Sequence, residues 1–131
     1  MYEYKIKEVD KVVDGDTVDL NIDLGFNLTK KERVRLAGID TPESRTRDLK
    51  EKELGIEAKE FLERRLSDGE NLKVKTEKDG KYGRMLGWIY ISETNINKEM
   101  VQRGYAWEYD GGTKEKDLNV LKIKRGLITE V

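Results

Sequence analysis

Cysteine and histidine are both missing from the 131 residues, and proline occurs once, at Pro42. Without cysteine there is no disulfide, no thiol nucleophile and no zinc–thiolate centre. Without histidine there is no imidazole acid–base catalysis, no Ser-His-Asp triad and no histidine-ligated metal nuclease centre. Hydrolytic chemistry then has to come from Asp, Glu, Lys, Arg, Tyr, Ser or Thr, or from a hard metal held by oxygens. Long apolar runs are missing too, so no stretch suffices to span a membrane. Met1–Lys11 alternates charged and apolar residues where a secretory signal would carry an apolar core. The expected location is intracellular, either cytoplasmic or virus- or prophage-encoded, although a chain whose leader had been removed would look the same. No membrane association and no obligate protein partner is indicated.

What is present is charge. Acidic and basic residues nearly balance, 27 against 26, and 40% of the chain is charged against 36% hydrophobic. The length suits one compact domain over residues 1–131, with a modest core and a densely ionic surface. Apolar residues recur at structured spacings between short turn signals, without repeats or low-complexity segments, as in a folded chain.

Tyr2–Val13 reads as a strand. Val18, Leu20, Ile22 and Leu24 alternate with Asp19, Asn21 and Asp23 in a half-buried second strand, reached through the Asp14-Gly15 turn. Residues 25–31 read as a turn or loop. Alternation resumes with Val34 and Leu36 inward and Arg33 and Arg35 outward. After Gly38 comes Asp40-Thr41-Pro42-Glu43, where Pro42 keeps Thr41 extended. Ser44–Glu53 has almost no apolar anchors and reads as an exposed, mobile loop. Leu54, Ala58, Phe61, Leu62 and Leu66 follow helical spacing up to Gly69. Leu72, Val74 and Thr76 make another strand face, Asp79-Gly80 signals a hairpin, and Leu86, Trp88 and Tyr90 continue the sheet. Ile96 and Val101 predict a short helix capped by Asn97 and ended by Gly104. Thr113 would cap a last helix with Leu118, Leu121 and Ile123, stopped by Gly126. Five strands in so short a chain favour a small barrel, though an open α+β sheet fits nearly as well.

Three carboxylates stand out by context. Asp16 lies where the chain turns into a strand, and Asp40 and Glu43 follow directly on the strand bearing Arg35. Carboxylates held at strand ends suit a hard cation: two of them, with a carbonyl and waters, suffice for calcium, and magnesium can be held the same way. Taken singly, each feature has an ordinary explanation. Asp14-Gly15-Asp16 is a strong turn signal, and Thr41 with Pro42 matches a helix N-cap. Neither accounts for Asp40 or Arg35.

Taken together the motifs carry a resemblance. Asp14-Gly15-Asp16-Thr17, the run from Arg35 to Glu43, Gly55-Ile56-Glu57-Ala58, the run from Asp79 to Arg84 and the run from Asn97 to Gly104 occur in one order. In that order the chain resembles the staphylococcal thermonuclease family from its first strand to about Tyr109. The resemblance implies an α+β, mainly β fold: a five-stranded oligonucleotide-binding barrel with about three helices. It implies Asp16 and Asp40 as metal ligands through their side chains, with Thr41 offering its backbone carbonyl to Ca2+, or to Mg2+. Arg35 and Arg84 would grip the scissile phosphate. Glu43 would stand over the attacking water, as general base or as its positioner. Lys81 and Tyr82 would contact the neighbouring phosphate, and Tyr109 or Trp107 would stack near a nucleotide. The implied activity is hydrolysis of DNA or RNA, single-stranded or frayed, at the P–O5′ bond to leave 3′-phosphate ends.

The resemblance is weaker at Asn27–Lys31, in Ser44–Glu53 and after Tyr109, and the charge balance departs from the basic character of the staphylococcal enzyme. A chain without net positive charge has to concentrate its cations. The expectation is a patch drawn from Arg33, Arg35, Arg45, Arg47, Lys73, Lys75, Lys78, Lys81 and Arg84. The alternative function is a non-catalytic nucleic-acid-binding or protein-interaction module on the same barrel.

Overall fold

Strict alternation makes β2 (Thr17–Gly25) the clearest element: Val18, Leu20 and Ile22 are buried, and Asp19, Asn21 and Asp23 face outward. The structure is a computed structural model, described over residues 2–77, 85–111 and 116–129. β1 (Tyr2–Asp14) runs antiparallel to β2 along most of its length and gives its first residues, Tyr2–Lys5, to β5 (Leu72–Thr76). Register shifts at Ile6/Glu8, Val9/Lys11 and Val12/Asp14 coil this long strand so that it serves both neighbours. β3 (Leu28–Leu36) pairs with β2 on one side, and its last three residues run parallel to β6 (Met85–Ile91) on the other. The order β3-β2-β1-β5-β6 therefore closes on itself as a five-stranded barrel of the oligonucleotide-binding type, not an open sheet, with the two-residue β7 (Thr94–Asn95) paired to the end of β6.

Three helices cover the barrel: α1 (Leu49–Asp68), α2 (Ile96–Gln102) and α3 (Leu118–Lys124). α1 buries Ala58, Phe61, Leu62 and Leu66 against the barrel's Val12, Val18, Leu36 and Val74 as one core, and Leu54 is buried on the same helix. Arg65 donates twice to Glu99, at 2.8 and 3.0 Å, and ties α1 to α2. Arg125 donates to Glu57 and stacks on Tyr105, which in turn stacks on Phe61, and this ties down α3. Glu57 is thus a tertiary partner that joins α1 to the end of α3. None of the described helices is long and apolar enough to cross a membrane.

Several boundaries differ from the sequence expectation. β3 begins at Leu28, so residues 25–31 form a tight hairpin, with Phe26 and Asn27 both at positive φ. A non-glycine pair at such a turn hid it. α1 starts at Leu49, five residues before its first buried side chain, because Asp48 caps it through Lys50 and Glu51 N–H groups. A helix start without a buried face leaves no periodic signal. Residues 44–47 do remain irregular. Asn95, not Asn97, caps α2, accepting from the Lys98 N–H at 3.1 Å, and Asp117 caps α3. Thr113 and the Asp79-Gly80 signal lie outside the described residues. In β6 the inward positions are Gly87 and Ile89, while Leu86 is exposed. Gly87 faces the narrow interior, where a Cβ would come within 2.7 Å of Val74, so the inward parity of β6 is carried by a residue with no hydrophobic signature.

Candidate functional site

The first carboxylate is set by the β1–β2 turn. Asp16 precedes β2, its carbonyl accepts the Leu36 N–H at 2.8 Å, and its Oδ1 accepts from the Thr17 hydroxyl at 3.0 Å. Gly15 presses this turn onto α1: a Cβ there would lie 2.8 Å from that of Ala58. The second carboxylate is set by a short ribbon absent from the sequence expectation, in which β4 (Ile39–Asp40) pairs antiparallel with β8 (Trp107–Glu108), Asp40 opposite Trp107. Trp107 is 6% exposed and its indole N–H donates to the Asp117 carbonyl at 3.0 Å. It is a buried anchor for the chain before α3 and has no face left for a nucleotide, contrary to its suggested stacking role. The position of Asp40 thus depends on the C-terminal segment.

Arg35, near the end of β3, turns into the space between these carboxylates. Its Nη2 lies 3.3 Å from Asp16 Oδ2 and 3.5 Å from Asp40 Oδ1, and its Nη1 donates to the Leu36 carbonyl at 3.0 Å. Two acidic oxygens from stretches 24 positions apart therefore converge on one point of positive charge. Burial pushes the Asp16 carboxyl above its ordinary range; Arg35 and the Thr17 hydroxyl oppose that shift, and Asp40 and Asp14 add to it. A desolvated carboxylate facing another is an electrostatic deficit that a cation relieves.

Thr41 is 3% exposed and donates its N–H to Asp16 Oδ2 at 3.4 Å, placing its peptide beside the same oxygen. It caps no helix. Glu43 is exposed, and its N–H donates to Glu51 Oε2 at 3.0 Å. The Pro42–Glu43 backbone packs directly on α1 at Gly55, where a Cβ would sit 2.4 Å from the Glu43 carbonyl oxygen. Only glycine admits that approach, and it fixes Glu43 relative to the helix start. Tyr109 donates its N–H to the Gly38 carbonyl at 2.9 Å and lines an open cleft of about 530 Å³ with Ile39, Trp88, Lys98 and Gln102. The cleft lies along the β4–β8 ribbon from Asp40. Lys81, Tyr82 and Arg84 fall outside the described residues.

The site thus brings together Asp16, Arg35, Asp40 and Thr41, with Glu43 three residues beyond Asp40. It also contains a residue the sequence did not single out. Lys116 Nζ lies 3.2 Å from Asp40 Oδ2. In a stretch reading Lys114-Glu115-Lys116-Asp117 nothing distinguishes this lysine from its neighbours. Asn97, which the sequence offered as a helix cap, is instead fully buried, and its amide donates to the Ala37 and Gly87 carbonyls and accepts from the Ile89 N–H. It fastens the end of the Arg35 strand to β6 and α2. Two cations expected in a positive patch are engaged elsewhere: Arg33 forks onto Asp19, and Lys75 lies 3.7 Å from Glu3 and over the Tyr90 ring.

Among the described residues no group of three or more Asp and Glu side chains is placed to hold a metal. Two convergent carboxylates suit a hard cation that completes its shell with other oxygens and water, and offer none of the nitrogen or sulfur ligands typical of zinc.

Comparison with known proteins agrees with this architecture. The family described as staphylococcal nuclease homologue matches residues 33–125. A thermonuclease of Staphylococcus hyicus is 31% identical over 132 residues, covering 92% of this chain and 73% of that protein. An uncharacterized endonuclease of Escherichia coli O157:H7 is 33% identical over 123 residues, covering 89% and 72%. The endonuclease YhcR of Bacillus subtilis is 38% identical over 109 residues, which is 77% of this chain but 9% of that protein. The chain spans about half the length, or less, of several curated relatives it matches. With a family match across most of its length and relatives whose alignment covers about nine-tenths of it, the chain belongs to the staphylococcal nuclease family.

Proposed function

We propose that the protein is a divalent-metal-dependent nuclease that hydrolyses phosphodiester bonds of DNA or RNA, single-stranded or frayed, leaving 3′-phosphate ends. The observation that carries this reading is the convergence of Asp16 and Asp40 on Arg35 Nη2, beside the Thr41 peptide. Relatives named as endonuclease and thermonuclease support it. Asp16, Asp40 and the Thr41 carbonyl would hold the ion, with Ca2+ favoured because this ligand set is irregular and leaves room for water, and Mg2+ second. A bound divalent ion makes water more acidic and neutralises phosphate charge.

The chain's own residues do the rest. Arg35 presents a planar fork that matches two phosphate oxygens, an arrangement lysine does not copy. As water attacks phosphorus, charge grows on the equatorial oxygens, so hydrogen bonds from Arg35, and from Arg84 by family resemblance, strengthen toward the transition state. Glu43 accepts the proton of the attacking water or orients that water. The new P–O bond forms opposite O5′, the P–O5′ bond breaks, and O5′ leaves as a hydroxyl after taking a proton from solvent. Lys81 and Tyr82 would hold the neighbouring phosphate and Tyr109 the nucleotide beside the cleft.

Cleavage of 5′-labelled single- and double-stranded DNA and of RNA, with Ca2+, Mg2+ or chelator and with product ends identified, tests the reading. The expected outcome is ion-dependent cleavage abolished by chelator, with kcat for Arg35→Ala lower by roughly 10²–10³-fold, as for loss of one transition-state donor. No cleavage of any polymer with either ion, together with retained nucleic-acid binding, would favour the non-catalytic module instead.

A further inference from the structure

We infer that Lys116 is a positioning residue of this site, a built-in counter-cation that holds the outer oxygen of Asp40 and competes with the divalent ion for it. The inference rests on the metal reading above and goes beyond it, because it assigns a role to the C-terminal segment. The two oxygens of Asp40 are divided between two cations: Oδ1 faces Arg35 Nη2 at 3.5 Å, and Oδ2 faces Lys116 Nζ at 3.2 Å. Lys116 is not placed by its own side chain alone. The next residue, Asp117, is fixed twice, through its carbonyl to the buried Trp107 indole and through its carboxylate to the first turn of α3. Trp107 in turn is the β-partner of Asp40. The same short ribbon therefore sets the carboxylate and the ammonium that meets it.

Lys116 also faces more than one acid. Burial weakens its ammonium, but Asp40, Glu51 and Glu43 outweigh that and leave it more firmly protonated than an ordinary lysine. Glu43 and Glu51 are themselves joined through the Glu43 N–H. A polyanion at the Asp16–Asp40 pair meets the added repulsion of these neighbouring carboxylates, and a fixed ammonium lowers it. The same charge, sitting on a ligand oxygen, opposes a metal ion. Lys116 thus sets two affinities in opposite directions: weaker for the cation, stronger for the nucleic acid.

An ordinary surface ion pair, the competing explanation, predicts no such opposition. The test uses the whole chain as Lys116→Met and Lys116→Arg, with Lys116→Gln in reserve should the methionine variant fail to fold. Calorimetric titration of metal-free protein with Ca2+ is expected to show Lys116→Met binding about two- to fivefold tighter than the parent, the size of one partly exposed charge pair, and less so at high salt. With saturating Ca2+, its KM for a single-stranded oligonucleotide is expected to rise while kcat changes less, and Lys116→Arg is expected to restore both values. Equal or weaker Ca2+ binding by Lys116→Met, alongside clear binding by the parent, overturns the inference alone. No Ca2+ binding by the parent removes the metal reading and this inference with it.

Discussion

The residue that shows most about the site is Asp16, because it is held in a state the fold does not favour. Burial raises its carboxyl pKa above the ordinary value of 3.8, with Arg35 and the Thr17 hydroxyl opposing. In the folded protein Asp16 therefore keeps its proton to higher pH than in the unfolded chain. Its contribution to stability is fully present below the unfolded pKa and is lost as pH rises through the folded one. Asp16→Asn should accordingly raise the thermal midpoint of metal-free protein at neutral pH by a few degrees. The gain should vanish toward the ordinary carboxylate pKa, while Ca2+ binding and cleavage are lost at all pH values. Thermal melts at pH 4 and pH 7 check both parts; a variant destabilised at neutral pH without metal would show that Asp16 is structural. At this scale the sequence was informative where chemistry is carried by a run of types: Asp16, Arg35, Asp40 and Thr41 meet as their motifs implied. It was silent on Lys116, whose neighbours are equally charged, and misleading on Trp107, whose aromatic ring fills the interior instead of facing a nucleotide.

Among the elements, the β4–β8 ribbon and α2 decide where the strand ends bearing the site come to rest. Asn97 is the fastening. A single buried amide satisfies the Ala37 carbonyl, the Gly87 carbonyl and the Ile89 N–H. Asn97→Ala leaves these groups without their partner and should cost roughly 2–4 kcal/mol of unfolding free energy in urea titrations. Asn97→Asp, which keeps the acceptor but not the donors, should not recover it. A loss below about 0.5 kcal/mol would mean that water replaces the amide without penalty. The sequence marked residue 97 as a cap because it stands before a helical stretch, yet Asn95 does that work and Asn97 is spent on tertiary bonds. Elements with a hydrophobic period were legible: β2, the end of β3 and the buried half of α1. Those made by backbone pairing or charged caps were not, namely the two-residue strands, the β2–β3 hairpin and the first turn of α1.

For the molecule as a whole, the balance of 27 acids and 26 bases sets how it meets a polyanion. Among the described residues, Arg33 and Lys75, two of the cations expected in a patch, are occupied by acidic partners. Non-specific affinity should be low and strongly salt-dependent: with two or three phosphate contacts, KM should rise roughly tenfold between about 50 and 200 mM salt. A KM independent of salt would show that stacking in the Tyr109 cleft, not phosphate contact, holds the substrate. Barrel closure was only half legible, since strand order fits an open sheet and the decisive parallel pairing of β3 with β6 joins segments about 50 residues apart. The convergence of Asp16 and Asp40 follows from that closure together with the β4–β8 ribbon. The most direct test of the whole account is diffraction from crystals soaked in Ca2+. An ion is expected about 2.3–2.6 Å from carboxylate oxygens of both Asp16 and Asp40, with the Thr41 carbonyl in its shell. Catalytically active crystals with no ion between these two carboxylates, or with the ion held elsewhere, would contradict it.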